Sequence, residues 1–280
     1  MRIKIISDST CDLPKELIEK YDISLSPLTV IKDGESFLDN VTITPTEIFA
    51  HVAGGGSLCS TAAYNVSDYM ELFTKYAGEY DGVLHISLGS AFSSSYQNAC
   101  LAADEFDNVK VVDSQNLSTG QGLVVVYACK LAQSCESLEQ LQADVQSYTS
   151  RVEASFLLNR LDYMVKGGRC SAAAALGANL LNLKPCIEVK NGKMGVVKKY
   201  RGNYAKCLAN YVKDRLDARE DLTGDLLFLT YTTVSGDCRQ AVLDGISQYG
   251  SFEEMVECTA GCTVSCHCGP ETLGILFVRK

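Results

Sequence analysis

The sequence predicts an α/β protein of two domains. The N-terminal one carries a mainly parallel sheet with flanking helices, the C-terminal one a mixed sheet with helices. Three observations lead there. The chain has 280 residues, more than one hydrophobic core usually organises. Its first half repeats the order strand, polar loop, helix, which suits parallel strands joined by covering helices. Its second half has a hairpin signal, Asn191-Gly192, among further alternating strands and helices. The domains are placed at residues 1–152 and 153–280.

The elements follow in order. Residues 2–7, RIKIIS, form a first strand that runs into a polar loop, with Asp12 as N-cap, Pro14 in the first turn and a helix over 15–21. Residues 23–30 and 36–38 flank Asp33-Gly34, a hairpin turn. Thr44-Pro45-Thr46-Glu47 opens a helix that Gly54-Gly55-Gly56 ends. A helix at 66–79 buries Tyr69, Met70, Leu72, Phe73 and Tyr76. The run 82–86 is a buried parallel strand, followed by a serine-rich loop and a helix from Tyr96 to Ala103. Residues 109–112 form a strand, 115–122 a loop and 123–133 an apolar helix. An amphipathic helix at 138–153 leads into the second domain. There, a helix over 171–183 is rich in Ala and Leu, and strands at 185–189 and 195–197 bracket the second hairpin. Helices at 204–216 and 236–249 alternate with strands at 226–232, 255–263 and 274–278.

Charge and cysteine narrow the function. A net charge of −9 argues against nucleic acid as partner, because neutralising phosphates takes clustered Lys and Arg. Thirteen Cys, an odd count scattered through helices and strands, suit a reducing compartment in which Cys is a small core residue. No apolar run reaches the ~20 residues that span a bilayer, and Asp8, Asp12, Glu16 and Glu19 interrupt any secretory signal. The expected location is the cytoplasm, with transient membrane contact left open.

The stretch LHISLGSAFSSSYQNA at 84–99 draws most attention. A strand, a Ser/Gly loop and a helix start offer backbone N–H groups and neutral hydroxyls to a small anion. The plainer alternative is that Ser93, Ser94 and Ser95 cap the helix. The three glycines at 54–56 lack the Lys-Ser/Thr pair of a P-loop and are read as a loop. Cys258, Cys262, Cys266, His267 and Cys268 invite a zinc reading. In a strand, however, four positions span ~13 Å, too far for one ion. Of the three histidines, His267 is the functional candidate, at a strand end beside Gly269-Pro270, while His51 and His85 are read as framework. Ser93, Asp113 and His267 follow the order of a serine hydrolase triad, but the nucleophile elbow G-x-S-x-G is missing. Lys166-Gly167-Gly168-Arg169 is either an exposed turn or a docking point whose Arg pairs with a carboxylate or phosphate.

Five stretches together resemble the DegV family: SDSTCDLP at 7–14, ISLGSAFSSSYQNA at 86–99, VVDSQNLSTGQG at 111–122, LDYMVKGGRCS at 161–171 and HCGPETLGI at 267–275. They occur in the family's order and cover nearly the whole chain. The resemblance implies two α/β domains with one long-chain fatty acid, such as palmitate, stearate or oleate, held between them. It implies a non-catalytic carrier that presents the carboxylate to the kinase subunit of a bacterial fatty acid kinase, in phospholipid metabolism, without a cofactor or metal. By the same resemblance Thr61, Ser93 and His267 bind the carboxylate and Arg169 docks the kinase. The family pattern after Thr61, Ser-x-Pro-Ser, is here Ala62-Ala63-Tyr64-Asn65. Its Ser-Gly-Thr is Ser93-Ser94-Ser95, and its Gly-Pro-Gly is Gly269-Pro270-Glu271, which adds a charge near His267.

Elementary energetics agree with a lipid carrier. A tail of about sixteen carbons at ~0.8 kcal/mol per buried CH₂ offers on the order of 10 kcal/mol before ordering costs. Neutral donors at the head group would set orientation, and the tail would run along the Ala-rich segment 172–183. The competing expectations are a serine hydrolase using Ser93 and His267, or a binding module for another small anion such as a phosphate ester.

Overall fold

The computed structural model describes residues 1–176 and 183–280. These form two compact α/β units. Met1–Ser150 with Gly261–Val264 make the first, and Arg151–Ala260 with Ser265–Lys280 make the second.

The first unit contains β1 (Ile3–Asp8), α1 (Lys15–Lys20), β2 (Ser24–Ser26), β3 (Thr29–Lys32), β4 (Glu35–Leu38), α2 (Pro45–Ala53), β5 (Ser60–Ala62), α3 (Val66–Ala77), β6 (Gly82–Ser87), α4 (Ser95–Ala103), β7 (Val109–Asp113), α5 (Ser118–Ala132) and α6 (Leu138–Tyr148). A four-stranded sheet runs β2-β1-β6-β7 with every pairing parallel. That agrees with the strand, loop, helix alternation. Helices α3 and α4 pack together, as do α5 and α6, and cover the strands. Ile6, Tyr69, Phe73, Val83, Ala99 and Val111 fill the core on one such contact.

Several elements depart from expectation. The run 23–30 is two strands, not one: β2 pairs parallel with β1, and β3 joins a separate antiparallel sheet of order β4-β3-β5. Pro27 lies between them and has no N–H to continue a ladder. The hairpin turn Asp33-Gly34 forms with φ of 53° and 84°, the left-handed pair that a two-residue hairpin needs. Asp12 does not cap α1, whose N-cap is Pro14; it closes a 3₁₀ turn over Ser9–Cys11 in a left-handed conformation, φ 49°. Helix α5 begins at Ser118, inside the expected loop. Its Gly122 serves packing rather than flexibility, because a Cβ there would stand 2.8 Å from the Cys11 carbonyl oxygen.

The second unit contains β8 (Val152–Leu158), α7 (Asp162–Gly167), α8 (Ser171–Ala174), β9 (Leu183–Lys190), β10 (Lys193–Arg201), α9 (Tyr204–Leu216), β11 (Leu226–Tyr231), α10 (Gly236–Tyr249), β12 (Glu254–Thr259) and β13 (Thr272–Val278). Helix α11 (Cys262–Cys268) begins in residues grouped with the first unit and ends in residues of the second. The six-stranded sheet runs β10-β9-β8-β13-β11-β12 and is mixed, with β11 and β12 parallel and the other pairs antiparallel. Helices α9 and α10 pack against each other, and Leu208, Tyr211, Val212, Val242 and Ile246 join Phe277 in the core.

The helix expected over 138–153 ends at Tyr148, and residues from Val152 onward form β8. Glu153 lies in β8, where Arg215 Nη2 and Arg219 Nη2 reach its carboxylate at 2.9 and 3.0 Å. The helix expected over 171–183 is described only as Ser171–Ala174, with Leu183 already in β9. The expectation for 177–182, including that part of the tail tunnel, lies outside the described residues. Finally, 262–268 is helix, where a strand to Thr263 and then a polar loop were expected. The strand-spacing argument about zinc therefore has no footing: Cys258 is in β12 while Cys262 and Cys266 are one helical turn apart in α11. Among the described residues no three His, Cys, Asp or Glu groups gather to hold a metal ion. No described helix is long and apolar enough to cross a membrane.

Candidate functional site

The parallel sheet reverses its order between β1 and β6, since β2 lies outside β1 and β7 outside β6. In open α/β sheets ligands collect beyond the carboxyl ends of the strands at such a reversal. The segments leaving those two strands are the Ser9–Cys11 turn and the serine-rich loop before α4.

One carboxylate ties these strand ends together. Asp8 ends β1 and is fully buried. Its Oδ1 accepts hydrogen bonds from Tyr69 Oη at 2.5 Å and Ser26 Oγ at 2.8 Å. Its Oδ2 accepts from Ser87 Oγ at 2.8 Å and the Leu88 N–H at 2.7 Å. His85 Nε2 stands 3.3 Å from Oδ1, near enough for attraction but not aligned for a hydrogen bond. Burial pushes the Asp8 pKa up. Attraction to His85 and the bonds donated by Tyr69 and the Leu88 N–H outweigh it, so the carboxyl sits below its ordinary range. Gln121 adds a second tie, accepting from Thr10 Oγ1 at 2.8 Å and donating to Ser7 Oγ at 2.9 Å. His85 was expected to be framework; it is framework of a specific kind, packed between Tyr69 and Phe73 beside that charge.

Ser93 lies in the loop so held and is half-buried. Its Oγ accepts the Ser95 N–H at 3.1 Å and pairs with Ser95 Oγ at 3.0 Å. It therefore braces the backbone where α4 begins, while Ser94, the N-cap residue, makes no side-chain cap bond, and the Ser93 oxygen keeps room for one further partner. Thr61 is the middle residue of β5, opposite Val30 of β3, and is half-buried between exposed Ser60 and Ala62. Both residues belong to the first unit.

His267 and Arg169 belong to the second unit, and the structure brings them together. His267 is near the end of α11, not at a strand end, and is partly buried. Burial first, and the Arg169 charge second, lower its pKa to about 4, so the ring is neutral at pH 7. Arg169 is exposed, and its Nη1 donates to the Gly167 carbonyl at 2.7 Å. The set expected to meet a carboxylate is thus two hydroxyls and a neutral imidazole.

Asp113, the acid of the triad order, is committed elsewhere. Its Oδ2 accepts from Ser90 Oγ at 2.6 Å and its Oδ1 from the Ser90 and Gln115 N–H groups at 3.0 and 2.9 Å. Ser93 also lacks the left-handed backbone of a strained nucleophile turn.

The family described as "Uncharacterised protein, DegV family" matches residues 2–280. The chain belongs to the DegV family. A DegV domain-containing protein of Clostridium acetobutylicum is 32% identical over 100% of this chain and 99% of its own. A fatty acid-binding protein of Thermotoga maritima is 31% identical over 98% of this chain and 96% of its own. Among solved structures, a DegV family protein from Thermus thermophilus, described with its fatty acid binding, superposes with a TM-score of 0.88 at 30% identity and full coverage of both chains.

Two departures from the usual DegV pattern have a structural account. Tyr64 packs its ring edge-on to Tyr69, with centroids 4.8 Å apart, and its carbonyl accepts from Asn98 Nδ2 at 2.9 Å. It extends the aromatic wall around Asp8. Glu271 stands at φ 56°, the left-handed backbone where a glycine costs least. Its carboxylate is engaged by Asn159 Nδ2 at 2.5 Å. The charge expected near His267 is therefore tied to the start of the loop after β8. Sequence reasoning missed Asp8, Tyr69 and Gln121 as the scaffold of the loops. The signal was present in polar residues crowding the carboxyl ends of otherwise apolar strands.

Proposed function

We propose that this chain binds one long-chain fatty acid and presents its carboxylate to a kinase subunit, acting as a carrier and not as the catalyst. The observation that carries the binding half is the end-to-end match, in sequence and in fold, to the Thermus thermophilus protein described as binding a fatty acid. Tail burial supplies most of the affinity, at ~0.8 kcal/mol per CH₂. Thr61, Ser93 and His267 take the head group. All three are neutral at pH 7, so none locks the carboxylate into an ion pair that a phosphoryl transfer would have to break. Arg169, exposed on a turn next to His267, is the docking residue for the kinase, whose carboxylate or phosphate groups its planar fork suits. No metal or cofactor enters this role, which is exercised in the cytoplasm.

Equilibrium titration of delipidated protein with oleate and palmitate, read by displacement of a fluorescent fatty acid, tests the binding half. One saturable site per chain is expected. Absence of displacement by either acid would overturn it. Addition of a fatty acid kinase and ATP tests the other half, with acyl phosphate formed only when the carrier is present.

A further inference from the structure

The turn Lys166-Gly167-Gly168-Arg169 holds two glycines for two different reasons. Gly168 is at φ 70°, which L side chains rarely adopt, and a Cβ added there would meet nothing within 4 Å. Gly167, the last residue of α7, has no such backbone demand, since it is not among the positive-φ positions. A Cβ on Gly167 would instead stand 2.5 Å from His267 Nδ1, with the ring's Cγ at 3.4 Å and Cβ at 3.6 Å. A carbon cannot occupy that distance, so the imidazole would have to turn away. The same glycine's carbonyl receives Arg169 Nη1 at 2.7 Å. One residue thus leaves room for the partly buried imidazole by having no side chain and holds the exposed guanidinium with its carbonyl oxygen.

We propose that Gly167 is the positioning residue that seats His267, and that Arg169, by holding the Gly167 carbonyl, links the setting of that imidazole to any carboxylate or phosphate that engages the guanidinium. Its functional meaning rests on the head-group and docking roles proposed above; its geometry does not. An anion that turns the guanidinium so that Nη1 joins a forked pair takes that donor from the Gly167 carbonyl. The end of α7 then loses its tether, and the seat of His267 loosens. Docking and head-group binding are in this way energetically joined, and each must affect the other equally.

A double-mutant cycle on the full chain tests the seat. Gly167→Ala is expected to lower the thermal midpoint by about 3–6 °C in the native background and by less than about 1 °C in a His267→Ala background, where the ring is gone. An equal loss in both backgrounds, or none in either, overturns it. Histidine ring NMR signals test the Arg169 link. Arg169→Gln is expected to move the His267 signals, leave those of His51 and His85 in place, and do so still at about 1 M salt, where charge effects across solvent are screened. Unmoved signals, or a shift that vanishes in salt, overturn the link. Oleate titrations of the same variants address the functional layer: Gly167→Ala is expected to weaken oleate roughly tenfold, and no further when His267 is already Ala. Additive losses contradict the seat. Failure of the native protein to bind oleate would instead refute the carrier role, while the thermal cycle and the spectra still decide the seat.

Discussion

Replacing Asp8 with Asn keeps the shape of the side chain and removes its charge, which isolates what the carboxylate contributes. Four donors converge on it from β2, α3 and the end of β6: the hydroxyls of Ser26, Tyr69 and Ser87 and the Leu88 N–H. The Leu88 N–H cannot rotate, so the amide oxygen of Asn must stay on that side. The NH₂ then faces the Ser26 and Tyr69 hydroxyls, which have to turn and accept. Each charge-assisted bond becomes a neutral one, losing about 1 kcal/mol. Easier burial of a neutral amide offsets part of this. A net loss of about 2–4 kcal/mol is expected at pH 7. The pH dependence has a fixed sign. The folded pKa of Asp8 is below its unfolded value of about 3.9, so its contribution is present above that value and lost as pH falls through the folded pKa. The gap between wild type and Asp8→Asn should hold through neutral pH and shrink in acid. Urea unfolding followed by tyrosine fluorescence, free of tryptophan signal in this chain, measures it. A variant within 0.5 kcal/mol of wild type at pH 7, by the ~0.5–1.5 kcal/mol scale of one ordinary hydrogen bond, would refute the role given to Asp8. So would a gap that widens toward acid.

Asp12 should behave in the opposite sense. Burial first, then repulsion from Asp39, raise its pKa to about 8 despite bonds from Ser118 and the Gly261 N–H. Its folded pKa is above the unfolded one of about 3.9, so stability is lost as pH rises from about 4 to about 8, and Asp12→Asn is expected to gain on wild type across that window and to hold that gain, without further change, above it in urea titrations. Ser93→Ala should weaken oleate binding by about tenfold, the worth of one lost hydrogen bond, while leaving the affinity for the matching hydrocarbon unchanged; calorimetry on both ligands separates the two. Shortening the acid by two carbons should cost roughly tenfold in affinity if the tail is fully buried. At position 271, where φ is 56°, the Gly variant should be more stable than the Ala variant by about 1 kcal/mol in thermal unfolding.

Elements set by local chemistry were legible from the residues alone. The α2 start was readable because Thr44 and Glu47 cap each other within four residues. Both hairpins were readable because Asp33-Gly34 and Asn191-Gly192 take left-handed backbone that few other pairs tolerate. Helices α9 and α10 run over the expected residues. The failures share a cause, which is long-range hydrogen bonding that overrides local preference. Helix α11 contains β-branched Thr263 and Val264 and reads as strand. Its first turn is helical because Asp12 Oδ1 accepts the Gly261 N–H and Asp39 Oδ1 the Cys262 N–H, at 2.9 and 2.8 Å. Those partners lie 249 and 223 residues away in sequence. Asp8 likewise draws Ser87 and Leu88 from 79 and 80 residues away, so its place as the anchor of the loops could not be read from its neighbours. Ser93 was visible because serines cluster in a strand-to-helix loop. Thr61, in a three-residue strand among exposed positions, carried no physical signal and came only through the family resemblance. His267 was visible as a chemical candidate, but its neutrality comes from burial and Arg169, which composition does not show.

The carrier role is tested most directly by native mass spectrometry of the protein as purified, followed by solvent extraction and identification of what is released. One non-covalent acyl chain per protein is expected, lost on denaturation and identified as a long-chain fatty acid. Protein that emerges without an adduct, and takes up neither palmitate nor oleate when they are added, would contradict it.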